Sequence, residues 1–154
     1  MKLILLLCLM GVLGPAMAMP AKTDFSGTWR FNAATSKNVG MMSRMELTST
    51  IQQSASLLLV KDRSSFNGQE STLETRYDLS GKAASNKNFM GENSETTTRW
   101  SGDKLVTTWK TEGAIAGTTV IRIETRSLSP DAKVMTLESV RASNPPIVMV
   151  FDKQ

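Results

Sequence analysis

Short segments in which apolar and polar residues alternate follow one another along the chain from Phe25 onward. Between Met45 and Gln52, for example, every second residue is apolar or small, which is the pattern of a strand with one buried face. The alternation predicts about nine strands. They are Phe25–Phe31, Met45–Gln52, Leu57–Arg63, Thr72–Leu79, Glu95–Trp100, Lys104–Lys110, Thr118–Leu128, Val134–Ala142 and Ile147–Asp152.

Most of the connections between these segments are short and rich in turn residues. Asn67-Gly68 predicts a tight hairpin because both residues tolerate positive φ, and Ser101-Gly102-Asp103 predicts another. Two longer polar stretches, Asn32–Arg44 and Ala83–Asn93, are predicted to be surface loops. Strands joined by short connections tend to pair in sequence order, so we expect an antiparallel meander.

A long meander must protect its two edge strands. Closure into an up-and-down barrel removes them, and about eight or nine strands leave an interior that holds side chains or one small ligand. The fold class predicted is therefore all-β, an antiparallel barrel, with a two-sheet sandwich as the alternative.

The N-terminus has the pattern of a signal peptide. Lys2 precedes the apolar run Leu3–Leu13, and Ala16-Met17-Ala18 is a small-x-small cleavage pattern. We expect cleavage after Ala18, a single domain at residues 19–154, and no membrane-spanning helix, since the apolar run is too short. The one cysteine, Cys8, falls in the removed segment. An exported chain without a disulfide favours a bacterial protein, periplasmic or secreted.

The first predicted strand carries a recognisable motif. The string Asp24-Phe25-Ser26-Gly27-Thr28-Trp29 resembles the G-x-W opening of lipocalins and related calycin barrels, and the turn at Leu128–Lys133 is similar to that of exported bacterial lipocalin-like proteins. The resemblance implies that Gly27 and Trp29 close one end of a barrel. It also implies a basic residue from a late strand over the tryptophan, for which Arg126 and Arg141 are the candidates.

Composition excludes most catalytic chemistries. The chain has no histidine, and no thiol remains after cleavage, so imidazole-based mechanisms and the usual zinc sites have no ligands or bases. No phosphate-binding glycine motif is present, and no cofactor is predicted. The net charge of +4 is spread among interspersed acids and bases, which indicates a solvated surface and no nucleic-acid partner.

Two weaker site hypotheses remain. A pair of carboxylates could hydrolyse glycosides, and the candidates on predicted strands are Glu46, Glu74, Glu95, Glu124 and Glu138. The cluster of Met41, Met42 and Met45 resembles a site for reduced copper, although methionines at the mouth of a hydrophobic cup explain it equally well.

The interior of the barrel supplies the main functional hypothesis. If Trp100 and Trp109 face inward, then Thr98, Thr107 and Tyr77 share that face, which mixes apolar walls with hydroxyl groups as small-ligand sites do. We expect a non-catalytic exported protein that binds a small, partly apolar molecule. The alternatives are an envelope protein-interaction or inhibitor module with a filled core, and third, a carboxylate-dependent hydrolase.

Overall fold

The computed structural model describes residues 22–154, which fold into one ten-stranded antiparallel sheet. The strands are β1 Gly27–Phe31, β2 Glu46–Gln53, β3 Leu57–Phe66, β4 Gln69–Asp78, β5 Ala83–Lys87, β6 Asn93–Ser101, β7 Lys104–Glu112, β8 Thr119–Leu128, β9 Val134–Arg141 and β10 Ile147–Lys153. The predicted signal peptide and its cleavage site lie outside the described residues. No helix within residues 22–154 has the length and apolar character needed to cross a membrane.

All nine predicted strands are present, with ends that differ by a few residues, and a tenth strand corrects the predicted count. Residues 83–87, predicted as part of a loop, form β5 and pair with β6 from Ala83↔Thr97 to Lys87↔Asn93. The prediction was wrong there because Ala83–Lys87 has no apolar alternation: its one buried side chain is Asn86. The other long loop, Asn32–Arg44, contains a 3₁₀ helix at Gly40–Arg44 and an isolated bridge between Lys37 and Val148.

The strand order follows an up-and-down barrel and excludes the sandwich alternative. β1 pairs with both β2 and β10, which brings the first and last strands together, and the other neighbours are consecutive in sequence. The sheet edges are β4 and β5, which share no strand ladder. The barrel is thus nearly closed, with one seam between β4 and β5.

A single side chain joins the two edges across this seam. The Asn86 side-chain amide accepts a hydrogen bond from the backbone N–H of Arg76 (3.0 Å) and donates one to the Arg76 carbonyl (2.9 Å). It also donates to Thr96 Oγ1 (2.7 Å) inside the barrel. Asn86 thereby makes the pair of bonds that a backbone residue would make in a ladder, which explains why this strand needs a buried amide.

One end of the barrel is filled by apolar side chains, and we call it the closed end. It lies at the start of β1 and includes residues 22–26. Phe25 is fully buried there and stacks on Trp100, with ring centroids 6.2 Å apart. Gln53 fixes this segment, because its side chain accepts from the Phe25 N–H and donates to the Thr23 carbonyl. The segment before the first strand therefore plugs this end.

Trp29 lies in the same packing and has a basic residue over it, but not one of those predicted. Its indole N–H donates to the Phe25 carbonyl at 2.9 Å, and the ammonium of Lys153 lies 5.2 Å from its ring centroid. Lys153 is on β10, which pairs with β1 through Trp29↔Lys153. Arg126 contacts Tyr77 instead, and Arg141 is exposed near the opposite end. Neither Arg126 nor Arg141 therefore serves as the basic residue over Trp29.

Gly27 is required by the same contact. Its φ of +132° is unfavourable for a residue with a side chain, and a Cβ atom there would lie 3.1 Å from Lys153 Cε. The glycine therefore allows the chain to turn into β1 directly beneath the lysine stem.

Candidate ligand-binding cavity

A cavity of about 570 Å³ occupies the half of the barrel away from the closed end. Its mouth is at the end that carries the loop 32–45 and the turns 67–68, 88–92, 113–118 and 142–146, which we call the open end. The volume falls within the roughly 300–1,000 Å³ typical of small-molecule sites. A cavity of this size is inconsistent with a filled core.

The walls are mainly apolar and come from inward-facing positions of the first, second, fourth, ninth and tenth strands and from the loop after β1. The apolar lining residues are Phe31, Met42, Met45, Leu47, Leu73, Met135, Leu137, Ile147, Met149 and Phe151. Two residues of the methionine cluster, Met42 and Met45, thus line the cavity, whereas Met41 is 72% exposed. This arrangement fits methionines that fill an irregular mouth.

The cavity also opens sideways through the seam. Thr72 and Lys87 belong to the outward-facing positions of β4 and β5, yet both line the cavity together with Phe89 and Met90 of the 88–92 turn. Phe89 and Met90 are also mostly exposed. Because Asn86 ties β4 to β5, the sideways opening lies between that tie and the open end.

A polar cluster lies in the cavity wall among the apolar groups. The Glu124 carboxylate accepts from the indole N–H of Trp109 (2.8 Å) through one oxygen and pairs with Arg122 (3.2 Å) through the other. The Arg122 guanidinium lies over the Trp109 ring, 4.6 Å from its centroid. Each oxygen of Glu124 thus has a partner, Trp109 for one and Arg122 for the other.

The second acidic residue of the cluster is Asp62, which lies on β3, across the barrel from Glu124 on β8. Its carboxylate accepts a hydrogen bond from the Ser49 hydroxyl on the neighbouring strand. Burial raises the pKa of Asp62, and the negative charge of Glu124 acts in the same direction, whereas Ser49 and Arg126 oppose the shift. Removal of a carboxylate from water explains the main effect.

Arg126 and Tyr77 complete the cluster. The guanidinium lies 5.3 Å from the centroid of the Tyr77 ring, and Tyr77 packs edge-on against Trp109 at 6.1 Å. Arg126 is almost fully buried, and its Nε–H has no hydrogen-bond partner within the described residues. Burial also raises the pKa of Tyr77, so its hydroxyl stays neutral. Arg126 also lines the cavity, so its guanidinium is a group that a bound molecule could contact.

The five residues predicted to line a ligand site are divided between two levels of the barrel. Tyr77 and Trp109 line the cavity. Thr98 and Thr107 face inward but hydrogen-bond each other at 2.8 Å and lie outside the cavity lining, and Trp100 packs on Phe25 at the closed end. The alternation gives the face of a strand, while the depth along the barrel axis depends on how the strands are staggered. Ligand contact by Tyr77 and Trp109 stays a prediction.

The carboxylates are distributed differently from the sequence hypothesis. Of the five candidate glutamates, Glu124 alone is buried, and the other four are exposed. Asp62, which faces the cavity, was missed because it stands between Lys61 and Arg63 in what looks like a solvated charge run. Its position opposite Ser49 within the alternating strand was the signal that could have identified it.

Comparison with known proteins shows the fold. No family model matches the chain, and no curated protein has a matching sequence. Among solved structures, a protein titled REP1-NXSQ fatty acid transporter matches with a TM-score of 0.65 at 15% identity, over 84% of this chain and 95% of that one. Human cRBP IV matches with a TM-score of 0.65 at 17% identity, over 86% and 99%. The expected antiparallel β-barrel fold is thereby confirmed.

Proposed function

We propose that the protein is a non-catalytic binding protein for a small, mainly apolar molecule with one polar end, held inside the barrel. The observation that carries this proposal is the cavity of about 570 Å³, whose mainly apolar walls also carry a small set of polar and charged groups. An apolar chain buried against those walls gains roughly 25 cal/mol for each Å² removed from water. The fatty acid transporter among the similar structures supports the same class of ligand.

Binding without catalysis agrees with the chemistry of the cavity. Glu124 is the one candidate glutamate that is buried in the cavity, and its carboxylate is already held by Trp109 and Arg122. No histidine is available anywhere in the chain to act as a general base. The carboxylate-dependent hydrolase is for this reason the weaker alternative.

Export to a periplasm or to the medium is part of the same proposal. It is supported by the signal-peptide pattern of residues 1–18, and bacterial origin is supported by the absence of a mature cysteine. The intact mass of the protein recovered from outside the cytoplasm tests this. We expect a chain that begins at Met19; a full-length chain retained in the cytoplasm would contradict it.

Titration with Nile red, an uncharged dye whose fluorescence increases in apolar surroundings, tests the binding function. We expect saturable binding at one site, displaced by long-chain aliphatic molecules. Ser139→Trp fills the cavity from its wall and should abolish the signal, whereas Glu138→Trp places the same side chain outside the barrel on the same strand and should leave it intact. Equal binding by both variants would mean that the dye binds elsewhere.

A further inference from the structure

When Asp62 is ionised, the charges inside the cavity are balanced before any ligand enters. Apart from Tyr77 and from Lys87 at the mouth, the ionisable lining residues are two acids, Asp62 and Glu124, and two guanidinium groups, Arg122 and Arg126. Lys87 is exposed and directs its ammonium to the Gly91 carbonyl and the Asn93 side chain. A buried charge that gains no opposite partner carries a large desolvation cost.

Glu124 occupies the position that a ligand carboxylate would need. It accepts the Trp109 indole N–H and pairs with Arg122, and both of these groups line the cavity. The pair is held in place because Arg122 stacks on the ring of the same tryptophan. In effect, the protein supplies its own carboxylate to this anion site.

The remaining donor favours an uncharged acceptor. The Arg126 guanidinium lines the cavity beside Tyr77, but the charges of Asp62 and Glu124 act on the same region, since both also shift the titration of Tyr77. A third carboxylate placed there would be repelled by these two. A hydroxyl, ester or amide oxygen would accept the hydrogen bond without that repulsion.

We propose that Glu124 and Asp62 are specificity-determining residues that make the cavity select ligands with an uncharged polar end over ligands that end in a carboxylate. This inference depends on the proposed binding function and specifies its ligand class. Glu124 acts by neutralising Arg122, and Asp62 acts by neutralising the surroundings of Arg126.

Competition against Nile red tests the selectivity with three ligands of one chain length: a saturated fatty acid, the corresponding alcohol and the corresponding primary amide. The titrations are made in alkaline buffer, which favours the ionised forms of the fatty acid and of Asp62. We expect the alcohol and the amide to displace the dye at concentrations about tenfold or more below that of the acid, the ratio for roughly 1.4 kcal/mol of charge repulsion. Equal or tighter binding of the acid would overturn the inference.

Substitution of Glu124 identifies the residue responsible. Glu124→Gln keeps the size and the acceptor for Trp109 but leaves the Arg122 charge unbalanced, so the affinity for the acid should rise about tenfold while that for the alcohol changes little. Glu124→Asp retains the charge and should retain the selectivity. A change of equal size for acid and alcohol in Glu124→Gln would indicate a merely structural role and would contradict the proposal.

The two proposals fail in different ways. If Nile red does not bind, or no aliphatic ligand displaces it, the binding function itself is wrong. If the dye binds and is displaced but the acid is preferred, the binding function stands and the selectivity is wrong. The ratio of the concentrations at which the acid and the alcohol displace the dye from the unmodified protein decides between these outcomes, even if Glu124→Gln does not fold.

Discussion

The seam between β4 and β5 offers the most direct test of how this barrel is held closed. Asn86→Ala removes three hydrogen bonds: two to the Arg76 backbone and one to Thr96 Oγ1. A hydrogen bond contributes about 1 kcal/mol net, and Arg76 stays partly accessible to water, so the loss should be about 2–3 kcal/mol. That is a large part of the roughly 5–15 kcal/mol that stabilises a domain.

Equilibrium urea unfolding followed by tryptophan fluorescence measures this loss directly. In a thermal scan, the same change should lower Tm by about 6–12 °C for a domain of this size. Asn144→Ala is the matched control, since Asn144 is exposed in the turn after β9 and makes no side-chain hydrogen bond within the described residues. We expect that variant to unfold like the unmodified protein.

Hydrogen exchange at the Arg76 amide distinguishes the seam from a general loss of packing. In the unmodified protein this N–H is protected by the Asn86 side chain and not by a strand ladder. In Asn86→Ala it should exchange much faster. Amides in the β2–β3 ladder should exchange faster only by the factor that the lower free energy of unfolding predicts. Slow exchange at Arg76 in the variant, or a stability equal to that of Asn144→Ala, would refute the role of Asn86 in joining β4 to β5.

Three other changes test the closed end and the cavity. Phe25→Ala should cost about 3–5 kcal/mol because a fully buried ring is removed, and the fluorescence of Trp100 should shift to the red; an unchanged unfolding midpoint would contradict the plug. Gly27→Ala should cost about 1–3 kcal/mol from its positive φ, measured by the same unfolding assay. Asp62→Asn should raise Tm at neutral pH but not in strong acid. The raised pKa means that the native state holds a proton more tightly than the unfolded chain, so the unmodified protein loses stability as pH rises above the ordinary value of 3.8; a Tm difference that is constant with pH would refute this.

Local sequence determined most of the strands and turns. Alternation at Met45–Gln52 and the positive-φ pair Asn67-Gly68 depend on neighbouring residues only, and the structure has a strand and a hairpin at those places. The inward direction of Thr98, Thr107 and Trp109 also follows from a period of two. The G-x-W motif pointed to the barrel, and the similar structures confirm that fold.

Tertiary structure alone decided how the seam closes and which groups meet in the cavity. β5 has no periodic pattern, and its Asn86 is useful only because Arg76 of the opposite edge lies across from it. Lys153 contacts Trp29 because the last strand, β10, pairs with the first strand, β1. Alternation specifies a face, but the depth of a side chain and its partner across the barrel depend on stagger and closure, which no local pattern contains.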